Sequence, residues 1–314
     1  MIDPDIKAML DRLQAAAGDM DAPATLQQMP DLYCREYREM SRAPDAAVEE
    51  RRVGLPGTQA SLCFYRPPAL NEPAPTIVYL HGGGFMLGDA ATYSRQSSRL
   101  AIECGAVVAF LDYRLAPEHP FPAQIEDTIA AISLLQNDAT RYGVDLSRLC
   151  VMGDSAGGNL AIHAVRSHHE QNLFKCACLL YPVADFRPYA GLAPKSASDL
   201  AFASGYYLEF AEMETFAHAY LGGDMSLAED SRVSPLAGSF PAGLPPVMMF
   251  LAENDILRDQ GRALAHRLRE AGNEVSCRCF DGLIHNFMQH SGISRCSDAA
   301  FLEVCRMVRA ALEG

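Results

Sequence analysis

No stretch of this 314-residue sequence concentrates lysine or arginine, and its formal net charge is −13. An acidic surface repels phosphate backbones, which argues against a nucleic-acid partner. The same charge disfavours anionic membrane surfaces and favours neutral or cationic substrates. Nor is there an uninterrupted apolar run of about 18 residues, so no spanning helix and no membrane partner are expected. The amino-terminal stretch MIDPDIKAMLDRLQAAAG carries acids early and lacks the apolar core of a secretory signal, which leads us to expect a cytoplasmic protein. Internal repeats and low-complexity tracts are missing as well. With 49% hydrophobic and 21% charged residues, the composition excludes disorder and supplies the core of one large α/β domain.

The ten cysteines lack the spacing that binds metal. Cys176 and Cys178, and likewise Cys277 and Cys279, sit two apart in apolar, strand-like runs, which places each pair on one strand face. A zinc site would use C-x-x-C-type loops with supporting histidines. Reduced thiols acting as small core residues are therefore expected, with no structural metal, no disulfide and no cofactor.

Residues 1–45 are mostly helical in pattern, with Met9, Leu10, Leu13 and Met20 on an apolar face and Pro23, Pro30 and Pro44 as breaks. A strand pair follows at 49–53 and 60–66, ending at Pro67-Pro68. Strands are then expected at 76–80, 106–111, 149–152, 176–181, 247–251 and 275–280. Helices are expected between them at 93–104, 122–141, 155–168 and 260–271, with a last one at 297–312. Near-continuous apolar strands alternating with amphipathic helices define an α/β fold, with a mostly parallel eight-stranded sheet flanked by helices. Residues 186–245, with a helix-like stretch at 206–220, form an insertion of the length used for lids and binding elements. We read 1–45 and 186–245 as two parts of a helical cap, and 46–185 with 246–314 as the domain that it covers.

Gly153-Asp154-Ser155-Ala156-Gly157 matches G-x-S-x-G, with an apolar strand before it and the helical AGGNLAIHAV after it. A serine at such a strand-to-helix turn is held in a strained backbone, where neighbouring side chains would collide. Its hydroxyl is lifted clear of the sheet at the positive end of the helix. Ser155 is thus a candidate nucleophile, the plainer alternative being a glycine-rich helix start packed tightly on the sheet.

His81-Gly82-Gly83-Gly84-Phe85 follows the strand at 76–80. Consecutive glycines let amide N–H groups converge on one point, as the oxyanion of an acyl-transfer intermediate requires. A phosphate-binding P-loop would place Gly-Lys-Ser/Thr where Phe85-Met86 stands, and a dinucleotide loop starting at Gly82 would need glycine at Leu87. The Ala156 N–H, directly after the nucleophile, supplies a further donor. His81 is expected to orient the loop rather than to move protons.

Chain order on such a fold is Ser, then Asp or Glu, then His. His163, His168 and His169 share or adjoin the helix after Ser155, and His119 precedes it. His218 lies in the insertion, His266 within a helix and His290 further on. His285 alone directly follows the last strand, at the nucleophile's edge of the sheet, and is the candidate base. Glu253, Asp255 and Asp259 all follow the strand at 247–251. Asp259 is placed to begin a helix. Asp255 occupies the turn, where it can accept the His285 N–H, and is preferred to Glu253. Asp281 is too near His285 in sequence to reach its ring.

With these residues in place, the chain resembles the hormone-sensitive-lipase-like (family IV) bacterial esterases of the α/β-hydrolase superfamily. The markers are HGGGF at 81–85, DYRLAPEHPFPA at 112–123, GDSAGGNLA at 153–161, YPVAD at 181–185 and AENDILRD at 252–259. The resemblance implies an α/β-hydrolase fold with a cap, a Ser155–His285–Asp255 triad, and Gly83, Gly84 and Ala156 as oxyanion donors, with His81 and Gly82 orienting the loop. It places the chain in the GDSAG subgroup and implies short- to medium-chain acyl esters, hydrolysed through an acyl-enzyme, with a homodimer formed at the last strand as a further possibility. Phe85, Tyr181, Phe202, Tyr206 and Phe210, with Tyr207 and Phe216, are candidates for the substrate pocket, the alternative being packing inside the cap.

Two positions depart from the family pattern. Ile256 replaces the proline of D-P-L and Asn286 the glycine of H-G-F, so the turns beside the acid and the base are expected to differ. Amide, carbamate or lactone hydrolysis on the same triad is the main alternative activity. The plant gibberellin receptors resemble this family but bind ligand without the catalytic histidine, and the presence of His285 argues against that reading.

Overall fold

The computed structural model describes residues 1–18, 34, 37–68 and 70–314, so Met20, Pro23 and Pro30 lie outside the described residues. Eight strands form one sheet in the order β1-β2-β4-β3-β5-β6-β7-β8. They are β1 (Glu49–Gly54), β2 (Ser61–Arg66), β3 (Ala74–Leu80), β4 (Val107–Asp112), β5 (Val144–Asp154), β6 (Cys176–Leu180), β7 (Val247–Asn254) and β8 (Val275–Ile284). β2 runs antiparallel to both β1 and β4, and every later pairing is parallel. The expected α/β-hydrolase fold with its mostly parallel eight-stranded sheet is the observed one.

Apolar continuity explains why the central strands are central. Every residue of β3 and of β6 is buried, as strands covered on both faces require. Alternate residues feed two cores. Val78 and Leu80 join Leu160, Ile132 and Leu264 on one face, whereas Ile77 and Tyr79 join Leu100, Phe301 and Val304 on the other. The first core is covered by α3 (Ala123–Asn137), α5 (Ala156–Ser167) and α8 (Arg258–Glu270), and the second by α2 (Ser94–Cys104) and α9 (Arg295–Glu313). Burying one ring such as Phe301 contributes about 1.5–3 kcal/mol. Cys150, Cys176 and Cys178 lie in the second core and Cys277 and Cys279 pack against the first, all as thiols.

Several boundaries differ from the sequence reading for local reasons. The helix expected over 122–141 breaks at Asp138 (φ −119°), leaving α3 and the short α4 (Ala139–Tyr142). Within the insertion, α6 (Ala197–Ala201) is followed by α7 (Phe210–Tyr220), which starts later than expected. Tyr207 has φ 79°, incompatible with a helix, and Glu209 and Glu212 close a reciprocal capping box. The insertion is tied to the sheet layer by buried polar contacts: Ser198 Oγ donates to the Ile256 carbonyl at 2.8 Å and Asn159 Nδ2 to that of Val233 at 2.9 Å. At the amino-terminal end, α1 (Pro4–Gly18) begins beside Asp3, whose Oδ1 accepts the Ile6 N–H and the Ser294 hydroxyl. Among the described residues no helix is long and apolar enough to cross a membrane.

Candidate active site

Strand register brings the candidate residues together. β8 runs on to Ile284, beyond its expected end, because Ile284 still pairs with Asn254 of β7. The next residues, Asp255 and His285, therefore leave neighbouring strands side by side. Likewise Leu80 of β3 pairs with Gly153 of β5, so the His81–Phe85 loop and Ser155 emerge together. All these segments leave the carboxyl ends of parallel strands.

Ser155 has φ 53° and ψ −115°, an unusual conformation for a residue with a side chain, directly before α5. Gly157 permits this tight turn, since a Cβ there would fall on the Leu80 carbonyl. His285 Nε2 lies 3.0 Å from Ser155 Oγ, and its Nδ1 donates to Asp255 Oδ2 at 2.8 Å. Asp255 Oδ1 accepts the Leu257 N–H at 2.9 Å, which fixes the carboxylate plane. All three side chains are buried. The rival acid, Glu253, faces elsewhere: its Oε2 accepts the Gly282 N–H at 2.8 Å, which holds its carboxyl below the usual range.

Gly83 (φ 95°) and Gly84 (φ 62°) turn the oxyanion-type loop with backbone angles that side chains resist. Among the described residues, no backbone carbonyl takes the N–H of Gly83, Gly84 or Ala156. His81 is fully buried, stacked 4.0 Å from Tyr113, and its Nδ1 donates to the Gly82 carbonyl at 2.8 Å. Burial pushes its imidazole down to about 4, so it is neutral near pH 7.

The candidate pocket aromatics divide. Phe202 and Tyr206 are partly exposed, and their rings meet edge-on 4.9 Å apart. Phe85 and Tyr181 have no accessible surface, and Phe210 is buried against Tyr189. Phe85 stacks 3.8 Å from Tyr220, and Tyr181 lies edge-on to His285 at 4.8 Å. Positive φ at Phe85 (64°) and Tyr181 (35°) accompanies these packed positions. Phe216 instead lies directly on Gly84.

The departures from the family pattern also have a physical reading. Asn286 has φ 64°, a left-handed conformation where glycine is at ease and which asparagine tolerates better than most residues. Ile256 is buried in the first core, and its carbonyl receives Ser198 Oγ.

Sequence reasoning passed over Asp154, Gln289, Tyr79 and Tyr93, which form a buried polar cluster behind the site. The only signal was Asp154 within the motif around Ser155.

The fold and this arrangement define an α/β hydrolase with a hydrogen-bonded Ser–His–Asp chain. The model of the alpha/beta hydrolase fold family matches residues 77–289, and the chain belongs to that family. It is 31% identical to the ethyl acetate hydrolase of Pseudomonas putida, over 96% of this chain and 97% of that protein. It is 33% identical to the carboxylesterase NlhH of Mycobacterium tuberculosis (strain ATCC 25618 / H37Rv), over 91% and 89% respectively. Among solved structures, the ester-hydrolase EH1AB1 from the metagenome of Lake Arreo, in complex with a bipyridine phosphonate derivative, is similar with a TM-score of 0.91 and 33% identity, covering 100% of both chains. A hyperthermophilic esterase from Pyrobaculum calidifontis is similar with a TM-score of 0.89 and 29% identity, covering 98% of each.

Proposed function

We propose that this protein is a serine carboxylesterase acting on short- to medium-chain acyl esters. The observation that carries the reading is the continuous chain from Ser155 Oγ through the His285 imidazole to Asp255 Oδ2, at 3.0 and 2.8 Å. His285 Nε2 takes the Ser155 proton as the oxygen attacks the ester carbonyl, and Asp255 stabilises the imidazolium. The N–H groups of Gly83, Gly84 and Ala156 hold the oxyanion, a donor of this kind contributing on the order of 10²–10³ in rate. The alcohol leaves with the proton from His285. Water, deprotonated by the same base, then releases the acid from Ser155.

We assign residues 1–45 and 186–245 to a cap over this site, the chain to the GDSAG subgroup of the hormone-sensitive-lipase-like esterases, and the chain-length limit to the cap. What supports the cap is the contact of Phe216, on α7, with Gly84 of the oxyanion loop. Relatives that are named as ester hydrolases over most of their length support the ester class.

The test is hydrolysis of p-nitrophenyl esters from acetate to palmitate by wild type and Ser155→Ala. Turnover peaking at short chains and abolished in the mutant is expected. A folded wild-type protein inactive on every ester would overturn the reading, whereas a peak at palmitate would overturn only its chain-length part.

A further inference from the structure

Asp154 precedes Ser155 and has no accessible surface. Its Oδ1 accepts the Tyr79 hydroxyl at 2.8 Å and the Gly82 N–H at 3.1 Å. Its Oδ2 accepts the Tyr93 hydroxyl at 3.1 Å and Gln289 Nε2 at 3.2 Å, with the Tyr37 hydroxyl at 3.4 Å. An amide N–H can only donate, and Gly82 and Gln289 present one to each oxygen. A carboxylate, which accepts at both oxygens, satisfies all of these donors at once.

The partners come from different parts of the proposed site. Gly82 begins the oxyanion loop, and a Cβ placed on it would stand 2.6 Å from Asp154 Oδ2. Gln289 lies on the segment that carries His285, and its Oε1 accepts the Tyr181 hydroxyl at 2.9 Å. Tyr181 in turn packs its ring edge-on to the His285 ring at 4.8 Å. The Gly82 N–H is thus taken by Asp154 and by the Tyr93 hydroxyl at 3.0 Å, which leaves the amides of the next two glycines for the proposed oxyanion role.

We infer that Asp154 is a positioning residue for ester hydrolysis: an ionised, buried carboxylate that clamps the oxyanion loop, the nucleophile turn and the histidine segment in one register. This inference rests on the reading of Ser155 as nucleophile. Burial pushes the Asp154 carboxyl up, against the pull of its tyrosine donors.

The experiment compares wild type, Asp154→Asn, Gln289→Leu and Ser155→Ala with p-nitrophenyl butyrate, with thermal unfolding of each as a control for folding. Asp154→Asn turns an N–H toward one pair of donors and removes the charge. Its kcat is expected to fall on the order of 100-fold with KM changed by less than about threefold, the pattern of misplaced catalytic groups. Gln289→Leu cuts only the histidine arm, so kcat falls less. Wild-type kcat in folded Asp154→Asn would overturn the inference, as would a loss carried by KM with kcat unchanged. If Asp154→Asn does not fold, wild-type kcat in Gln289→Leu overturns it and a reduced kcat supports it. Activity retained by Ser155→Ala would instead overturn the nucleophile reading, whatever the other variants do.

Discussion

The ring of Phe216 occupies the space that a Cβ on Gly84 would need. A helix of the insertion therefore touches the loop proposed to hold the oxyanion. Gly84→Ala forces that ring aside at a residue with φ 62°. Its kcat/KM on p-nitrophenyl butyrate is expected to fall on the order of 10²–10³, as for loss of an oxyanion donor. Phe216→Ala leaves the loop's own backbone intact but empties a buried site, costing about 3–5 kcal/mol of stability in denaturant unfolding. Equal activity of Gly84→Ala and wild type would show that the contact is slack.

Acid should destabilise the fold through buried histidines. His81 and His290 are fully buried, and burial pushes them down to about 4 and about 3. Among the described residues, neither ring nitrogen of His290 has a hydrogen-bond partner. In both cases the unfolded chain binds the proton more readily than the folded one, from an ordinary value of 6.5 downward. Their contribution is thus whole above that value and declines as pH falls toward the folded-state values. His290→Leu removes one such group, so its stability should drop less than wild type between about pH 6.5 and 4.5, by about 2–3 kcal/mol. Parallel stability–pH curves for the two proteins would contradict this.

Asn286 offers a test of backbone strain beside the proposed base. At φ 64°, Asn286→Gly relieves the backbone and should keep kcat within about twofold of wild type. Asn286→Val places a β-branched residue there and should cost about 1–3 kcal/mol, read as a lower Tm. Equal Tm values for the two variants would mean that the turn adjusts.

How far the sequence could be read depended on whether a feature is local. Ser155 stands in a contiguous motif between a strand and a helix, and His285 and Asp255 each follow an apolar strand, so chain order was enough to nominate them. The pairing of Asn254 with Ile284, which sets the last two side by side, belongs to the tertiary register and leaves no local trace. Tyr79, Tyr93, Asp154 and Gln289 come from four separate segments, and nothing in one sequence shows that they meet. Phe85 and Tyr181 illustrate a different limit. Aromatic residues at strand ends can face a pocket or the core, and the positive φ that accompanies their packed positions is invisible without coordinates.

Glu253 and Asp255 provide the sharpest separation of roles, because both carboxylates follow the same strand. Asp255 Oδ2 meets His285 Nδ1 at 2.8 Å, whereas Glu253 Oε2 holds the Gly282 N–H at 2.8 Å. In Asp255→Asn the amide must either present an N–H to the imidazole or rotate away, and the tautomer that leaves Nε2 free to accept is no longer favoured. A loss in kcat on the order of 10⁴ is expected, with KM little changed. Glu253→Gln keeps an oxygen for the Gly282 N–H at this half-buried contact and should leave kcat within about twofold. Steady-state kinetics on p-nitrophenyl butyrate at pH 8 read both effects. Were Glu253→Gln the variant that lost activity, His285 would have to take a different partner during turnover from the one in this structure.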